Sequence, residues 1–362
     1  MSLSISGLGT ALPPFSVTWE QMAAFTRSFC CQDAKQAEIL RLLYARSGVR
    51  RKHSALLLGE CHDGKVPQDF YPETNCGRGP STGRRMEAYE KLAPPLAREA
   101  SQKALSQANA LPGDITHLVT VSCTGFMAPG IDMTLIEALS LRPTVERTHV
   151  GFMGCHGAIN GLKVARGCLA AEPGGCVLMC AVELCTLHFF SGWDPEKIVA
   201  NALFADGAAA VVCRNADSAN NADWRLAAVG TLKIPDSGPA MTWKIGDFGF
   251  EMGLSREIPE LIARNLRGWV ENWLDRQGLT LDQIGSWAVH PGGPKILDAV
   301  ELALGLPESA LATSREVLAE CGNMSSPTVL FIIDRKQRAG AARPCVALGF
   351  GPGMVVEAAL FV

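Results

Sequence analysis

Short apolar runs alternate with helix-period stripes along the whole chain. Leu3 to Thr10 reads as a strand, and His117 to Cys123 (HLVTVSC), Val177 to Val182 and Ala208 to Cys213 are near-continuous apolar runs of strand length. Such runs predict strands covered on both faces. Helical spacing predicts helices over Gln36 to Arg46, over Ala158 to Ala171, and most clearly over Glu257 to Gln277. In the last, Ile258, Leu261, Ile262, Leu266, Trp269, Val270, Trp273 and Leu274 fall on one stripe. Proline suits a first helical turn, so a helix is predicted from Pro94-Pro95 to about Asn109. The stretch from Gly59 to Arg85, rich in Gly, Pro and charge, is predicted as a loop. Further strands are expected over 225–232 and 286–289, helices over 295–304 and 327–334, and two strands over 344–362. Strand and helix alternate in both halves, which predicts a layered α/β protein with a doubled unit, the second beginning near Ala216.

Length and composition agree with this. At about 150 residues per domain, 362 residues give roughly two units. Hydrophobic residues make up 48% and charged residues 19%, against a usual charged share of about 25%. A large core is therefore expected and a disordered chain is excluded. Lys plus Arg total 33 and Asp plus Glu 36, a net charge of −3. Nothing in that balance favours nucleic acid or an anionic membrane as a partner. The first ten residues lack the basic start and apolar run of a secretory signal, and no apolar stretch reaches about 18 residues. A reduced, cytoplasmic protein is the expectation. The 13 cysteines include no C-x-x-C pair and no zinc-ribbon spacing, so most read as small buried hydrophobes.

Three segments break the core pattern. Cys155 stands between glycines in Gly154-Cys155-His156-Gly157, just before a helical run. The positive end of a helix dipole and free backbone N–H groups favour a thiolate there. His290 ends a strand at Val289-His290-Pro291-Gly292-Gly293, where α/β sheets present side chains to ligands. Asn323, in Cys321-Gly322-Asn323-Met324-Ser325, precedes another helix and offers an uncharged donor. Each alone also reads as a structural residue. Together they form a Cys-His-Asn set that only a fold can assemble. The set suits acyl transfer, with the cysteine as nucleophile and His and Asn holding an oxyanion. A cysteine protease uses the same residue types, so the residues alone leave the reaction open.

Five segments in order, GFMGCHGAINGLKVA, NALFADGAAA, VHPGGPKILD, ECGNMSSPTVLFIID and GFGPGMVVE, resemble those of the type III polyketide synthases, the family that includes chalcone synthase. The resemblance covers nearly the whole chain. It implies a thiolase-like fold, layered αβαβα with two similar βαβαβαββ halves, here 1–215 with the nucleophile and 216–362 with its partners. It implies a homodimer in which Met127 and Ala128 face the partner's cavity. Acyl-CoA and malonyl-CoA are the implied substrates, with no cofactor and no metal. Cys155 takes the implied role of acyl acceptor, and His290 and Asn323 stabilise the enolate left when malonyl loses CO₂. Phe204 matches the gatekeeper position and Phe250 a second one. Cys123, Thr124, Cys185, His188 and Ser325 fall at cavity positions, and Arg46 at one of the basic positions that contact coenzyme A.

The chain also departs from the plant pattern. Leu42 replaces a basic residue, and His188 stands where a small hydroxylated residue is usual. The starter is therefore not expected to be 4-coumaroyl-CoA by default. A related condensing enzyme of the ketosynthase III type, working on acyl carrier protein, is the alternative. An inactive binding protein and a cysteine hydrolase are the readings from other classes.

Overall fold

The computed structural model describes residues 3–61, 65–72, 78–216 and 224–362. The first half begins with β1 (Leu3–Ala11), β2 (Ser16–Thr18), α1 (Trp19–Cys30), α2 (Ala34–Ala45), β3 (Arg51–His53) and α3 (Thr82–Gln107). It continues with β4 (His117–Ser122), α4 (Ile131–Leu139), β5 (Glu146–Gly151), α5 (Gly157–Ala171), β6 (Cys176–Leu184), α6 (Pro195–Leu203) and β7 (Asp206–Asn215). The second half opens with β8 (Trp224–Lys233), β9 (Met241–Gly246), β10 (Gly249–Leu254), α7 (Ile258–Asp275) and β11 (Ser286–Val289). It closes with α8 (Pro294–Leu304), α9 (Ala312–Cys321), α10 (Thr328–Arg338), β12 (Cys345–Gly351) and β13 (Val355–Phe361).

Nine strands form one mixed sheet in the order β11-β12-β13-β8-β1-β7-β6-β4-β5. The ladder between β1 and β8, Leu3 to Ile5 against Trp224 to Leu226, joins the strands of the two halves. Strand residues alternate between two cores, as a pleat requires. In β6, Val177, Met179 and Ala181 face one core while Leu178, Cys180 and Val182 face the other. In β12, Cys345 and Ala347 join the same inner core as Val177, and Val346 and Leu348 join a third. The inner core also holds Ala158, Ile159 and Leu162 of α5 and Val329 to Ile333 of α10. These two helices therefore lie between the two halves of the sheet. On the outer faces, α3 covers the first half and α7 with α8 the second. The result is a five-layer αβαβα stack.

The helix expected to begin at Pro94-Pro95 begins 12 residues earlier, at Thr82, behind a Ser81 cap whose hydroxyl accepts from the Arg84 N–H. Both prolines lie inside the helix. Each removes a backbone bond and costs about 3 kcal/mol in an isolated helix interior. The buried stripe Tyr89, Ala93, Leu96, Ala97, Ala100 and Ala104 packs along the sheet and offsets that cost. Arg85, assigned to a loop by the sequence, is a fully buried residue of this helix. The rest of the expected loop includes 62–64 and 73–77, which lie outside the described residues, as does 217–223 at the expected boundary between halves.

Candidate active site

Cys155 occupies a single 3-10 turn, Gly154 to His156, at the entrance to α5. Gly154 has φ +75° and a Cβ there would stand 2.3 Å from the Pro352 ring, so only glycine lets the turn pass so close. The thiol is buried, 7% exposed. Burial pushes its pKa up to about 12, against the downward pull of hydrogen bonds from Ser325 and Asn323. Desolvation thus opposes the thiolate that the helix start favours.

Asn323 follows α9 at Gly322, whose φ is +74°. Its side-chain Oδ1 accepts the Ser325 N–H at 2.8 Å. That bond fixes the amide orientation and leaves Nδ2 as the donor toward the sulfur. Its backbone is held too: Asn323 N–H donates to Leu203 O and Ala205 N–H to Asn323 O, both 2.9 Å. Phe204, between those two residues, therefore sits in a one-residue parallel bridge with Asn323.

His290 follows β11, its N–H donating to Leu348 O at 2.8 Å. It is fully buried, and burial with the neighbouring His156 pushes its pKa down to about 3. Neither ring nitrogen has a partner among the described residues. His156 itself is anchored away from the cavity. Its Nδ1 meets Asn160 Oδ1 at 2.7 Å, and Asn160 Nδ2 donates to Glu357 Oε1 at 3.1 Å. Lys163 and Thr231 bind the other Glu357 oxygen. The His156 ring lies against Gly351, where a Cβ would stand 2.4 Å from Nε2.

One residue that sequence reasoning missed organises the far wall. Glu183, fully buried at the end of β6, accepts from Cys123 N (2.9 Å), Thr124 Oγ1 (2.7 Å) and Ser326 Oγ (2.6 Å). It ties the end of β4 to the segment after Asn323. Its signal was a carboxylate inside an otherwise apolar strand, Cys176 to Leu184. His188 is satisfied on both sides: its Nε2–H donates to Thr124 O at 2.7 Å and its Nδ1 accepts the Phe250 N–H at 2.9 Å. Burial pushes its pKa down to about 3, so it is neutral, and it stacks on Phe250 at 4.2 Å.

Cys155 opens onto a cavity of about 430 Å³. Cys123, Thr124, Cys185, His188, Phe204, Phe250 and Ser325 all line it, as the resemblance implied. Arg46, the implied coenzyme A contact, is exposed at the end of α2 and is not among the cavity's lining residues. The cations that do line the cavity are Lys52, Arg78 and Lys197, which sequence reasoning passed over. Lys52 is buried and its ammonium donates to Asn201 O (2.5 Å) and Phe204 O (3.1 Å), capping the last turn of α6. Burial lowers its pKa to about 8. The described cysteines are all free thiols. Among the described residues no three His, Cys, Asp or Glu side chains are grouped to hold a metal. No described helix is long and apolar enough to cross a membrane. Neither His290 nor Asn323 is among the residues lining the cavity; Asn323 acts on the Cys155 sulfur, and His290 lies fully buried beside His156. A buried thiol, an amide donor acting on it and a largely apolar cavity suit acyl transfer.

Comparison with known proteins points the same way. The family model for the N-terminal domain of chalcone and stilbene synthases matches residues 2–217, and that for the C-terminal domain matches 226–362. The chain is 34% identical over 361 residues to 1,3,6,8-tetrahydroxynaphthalene synthase of Streptomyces peucetius subsp. caesius, covering 98% of this chain and 91% of the relative. It is 33% identical to bisdemethoxycurcumin synthase of Oryza sativa subsp. japonica, covering 99% and 91%. Among solved structures, PKS-I of the brown alga Ectocarpus siliculosus superposes with a TM-score of 0.93 at 29% identity, covering 99% of this chain and 98% of that one.

Proposed function

The chain belongs to the chalcone and stilbene synthases, the type III polyketide synthases, and from that membership we propose that it condenses malonyl-CoA repeatedly onto an acyl-CoA starter held on Cys155. The observation that carries this is the amide of Asn323, fixed through its Oδ1 and acting as a hydrogen-bond donor on Cys155, which opens onto the cavity.

The steps follow from the residues. His290 takes the Cys155 proton, and the thiolate attacks the starter thioester carbon. The carbon–sulfur bond to coenzyme A breaks, and coenzyme A leaves with the proton from the imidazolium. Malonyl-CoA then loses CO₂, and the electron pair of the broken carbon–carbon bond forms an enolate. Asn323 Nδ2 and the His290 N–H donate to its oxygen. The enolate carbon attacks the acyl-cysteine, a carbon–carbon bond forms, and the Cys155 thiolate is released. The β-ketoacyl-CoA product reloads the cysteine for the next round and finally closes to a pyrone or an aromatic ring. The half 1–215 supplies the nucleophile and 216–362 the two donors. No cofactor enters these steps.

We also propose a cytoplasmic homodimer. The outer strand β5 pairs only with β4 among the described residues, and Glu146 to His149 are exposed along it. Phe126, 41% exposed, and Met153, 38% exposed, stand near its end. An open edge beside exposed apolar side chains suits a second copy of the chain. A thiol nucleophile suits a reducing compartment.

The test incubates pure protein with malonyl-CoA and a panel of acyl-CoA starters. The expected products are triketide or tetraketide pyrones or rings, lost in Cys155→Ala. A single condensation that requires acyl carrier protein would support the ketosynthase alternative, and free acid without a new carbon–carbon bond would support a hydrolase.

A further inference from the structure

The cavity wall has almost no polar group left to offer. Thr124 Oγ1 is taken by Glu183 and the Leu184 N–H. Thr186 Oγ1 is taken by Asp206 and Ser54. Both His188 nitrogens are bound, and Trp243 Nε1 donates to Cys123 O. Tyr71 donates to Thr186 O, and the Asn201 amide pairs with the Phe190 backbone on both its atoms. Lys52 is held by two carbonyls. Away from the reacting centre, Arg78 and Glu251 are exposed lining residues, and Lys197 is paired with Glu251, so charge is confined to the rim. The lining of the same cavity includes an apolar limb of its wall, Val17, Met22, Phe25, Leu56 and Leu57 of one hydrophobic cluster, all buried but Phe25.

We propose that this limb takes the tail of the starter, and that the starter is an unsubstituted hydrocarbon acyl group rather than a phenolic one. This rests on the reading of the site given above. A wall most of whose side-chain donors and acceptors are internally paired has little to exchange for the water that a buried hydroxyl loses. It holds methylenes through apolar burial alone. A cavity of about 430 Å³ lies toward the lower end of the range for small-molecule sites, which sets a medium chain as the fit. Met22 and Leu57 are then the specificity-determining side chains.

The experiment measures kcat/KM with malonyl-CoA held constant and starters from acetyl- through hexanoyl- and decanoyl- to palmitoyl-CoA. It adds the ω-hydroxy analogue of decanoyl-CoA and 4-coumaroyl-CoA. The expected profile rises by about three- to fourfold per methylene over the short chains and passes through a maximum at medium length. The ω-hydroxy analogue is expected to be about 10- to 100-fold poorer than its parent. In Met22→Trp and in Leu57→Trp the ratio of decanoyl to butyryl kcat/KM is expected to fall at least about tenfold, since an indole fills the limb. Thermal unfolding checks that each variant folds; if neither does, the wild-type profile and the ω-hydroxy comparison decide. Equal use of the ω-hydroxy analogue, a flat chain-length profile or a preference for 4-coumaroyl-CoA would overturn the inference while leaving condensation itself intact. Absence of any malonyl-dependent carbon–carbon bond with every starter would instead overturn the proposed function.

Discussion

Phe204 and Asn323 are backbone partners, so the side chain at the cavity wall and the amide beside the nucleophile cannot move independently. Lys52 holds the same unit from outside, through Phe204 O and Asn201 O. Lys52→Met is therefore expected to lower kcat more than it raises KM, because it loosens a donor used in the reaction rather than in binding. The pH dependence has a definite sign. The folded pKa, about 8, lies below the unfolded value of 10.5, so burial of the ammonium opposes folding below pH 8 and that penalty fades as pH rises toward 10.5. Wild type should gain stability relative to Lys52→Met between pH 7.5 and 10, as read by urea midpoints. A constant difference across that window would refute the assignment.

Ser325 donates toward the Cys155 sulfur and lowers its pKa against the pull of burial. In Ser325→Ala the pH profile of Cys155 alkylation by iodoacetamide should move to higher pH, with a rate at pH 8 about tenfold lower, the scale of one hydrogen bond to a charged group. An unshifted profile would show that Ser325 does not touch the thiolate.

Glu183 accepts from donors on two separate segments, and Glu183→Gln replaces one acceptor oxygen with an NH₂ that faces donors. A loss of about 2–4 kcal/mol in unfolding free energy is expected, the range for leaving buried groups unpaired in a network. Denaturant unfolding measures it. A loss under about 0.5 kcal/mol would mean the network tolerates an amide.

Gly351→Ala places a methyl group 2.4 Å from the His156 ring nitrogen. The expected cost is about 1–3 kcal/mol, the usual range for overpacking. The second change His156→Ala should return most of it, since the two residues contend for the same space. Additive losses in the double variant would place the strain elsewhere.

Much of this arrangement was legible in the residue order. The apolar runs of β4, β6 and β7 and the stripe of α7 announced a doubly covered sheet, because burial on both faces leaves a plain compositional mark. Cys155, His290 and Asn323 stood out because each interrupts that mark with a turn. The start of α3 was missed because Pro94 and Pro95 outweigh, locally, a stripe that only tertiary packing makes worthwhile. Glu183 and Lys52 were missed because their partners lie far along the chain, at Ser326 and at Asn201 and Phe204. Spacing likewise reveals the helix start at Cys155 but not the depth of burial that opposes it.

β1 occupies an inner place in the sheet, between β7 and β8. On the ribosome it emerges well ahead of both neighbours, Asp206–Asn215 and Trp224–Lys233, which arrive some two hundred residues later. Contacts so distant in sequence make folding slow, since the loop must close before they reward it. Until then an apolar strand with two unpaired edges waits in the nascent chain, exposed to aggregation. Synthesis halted before Trp224 would leave it without one of its two partners.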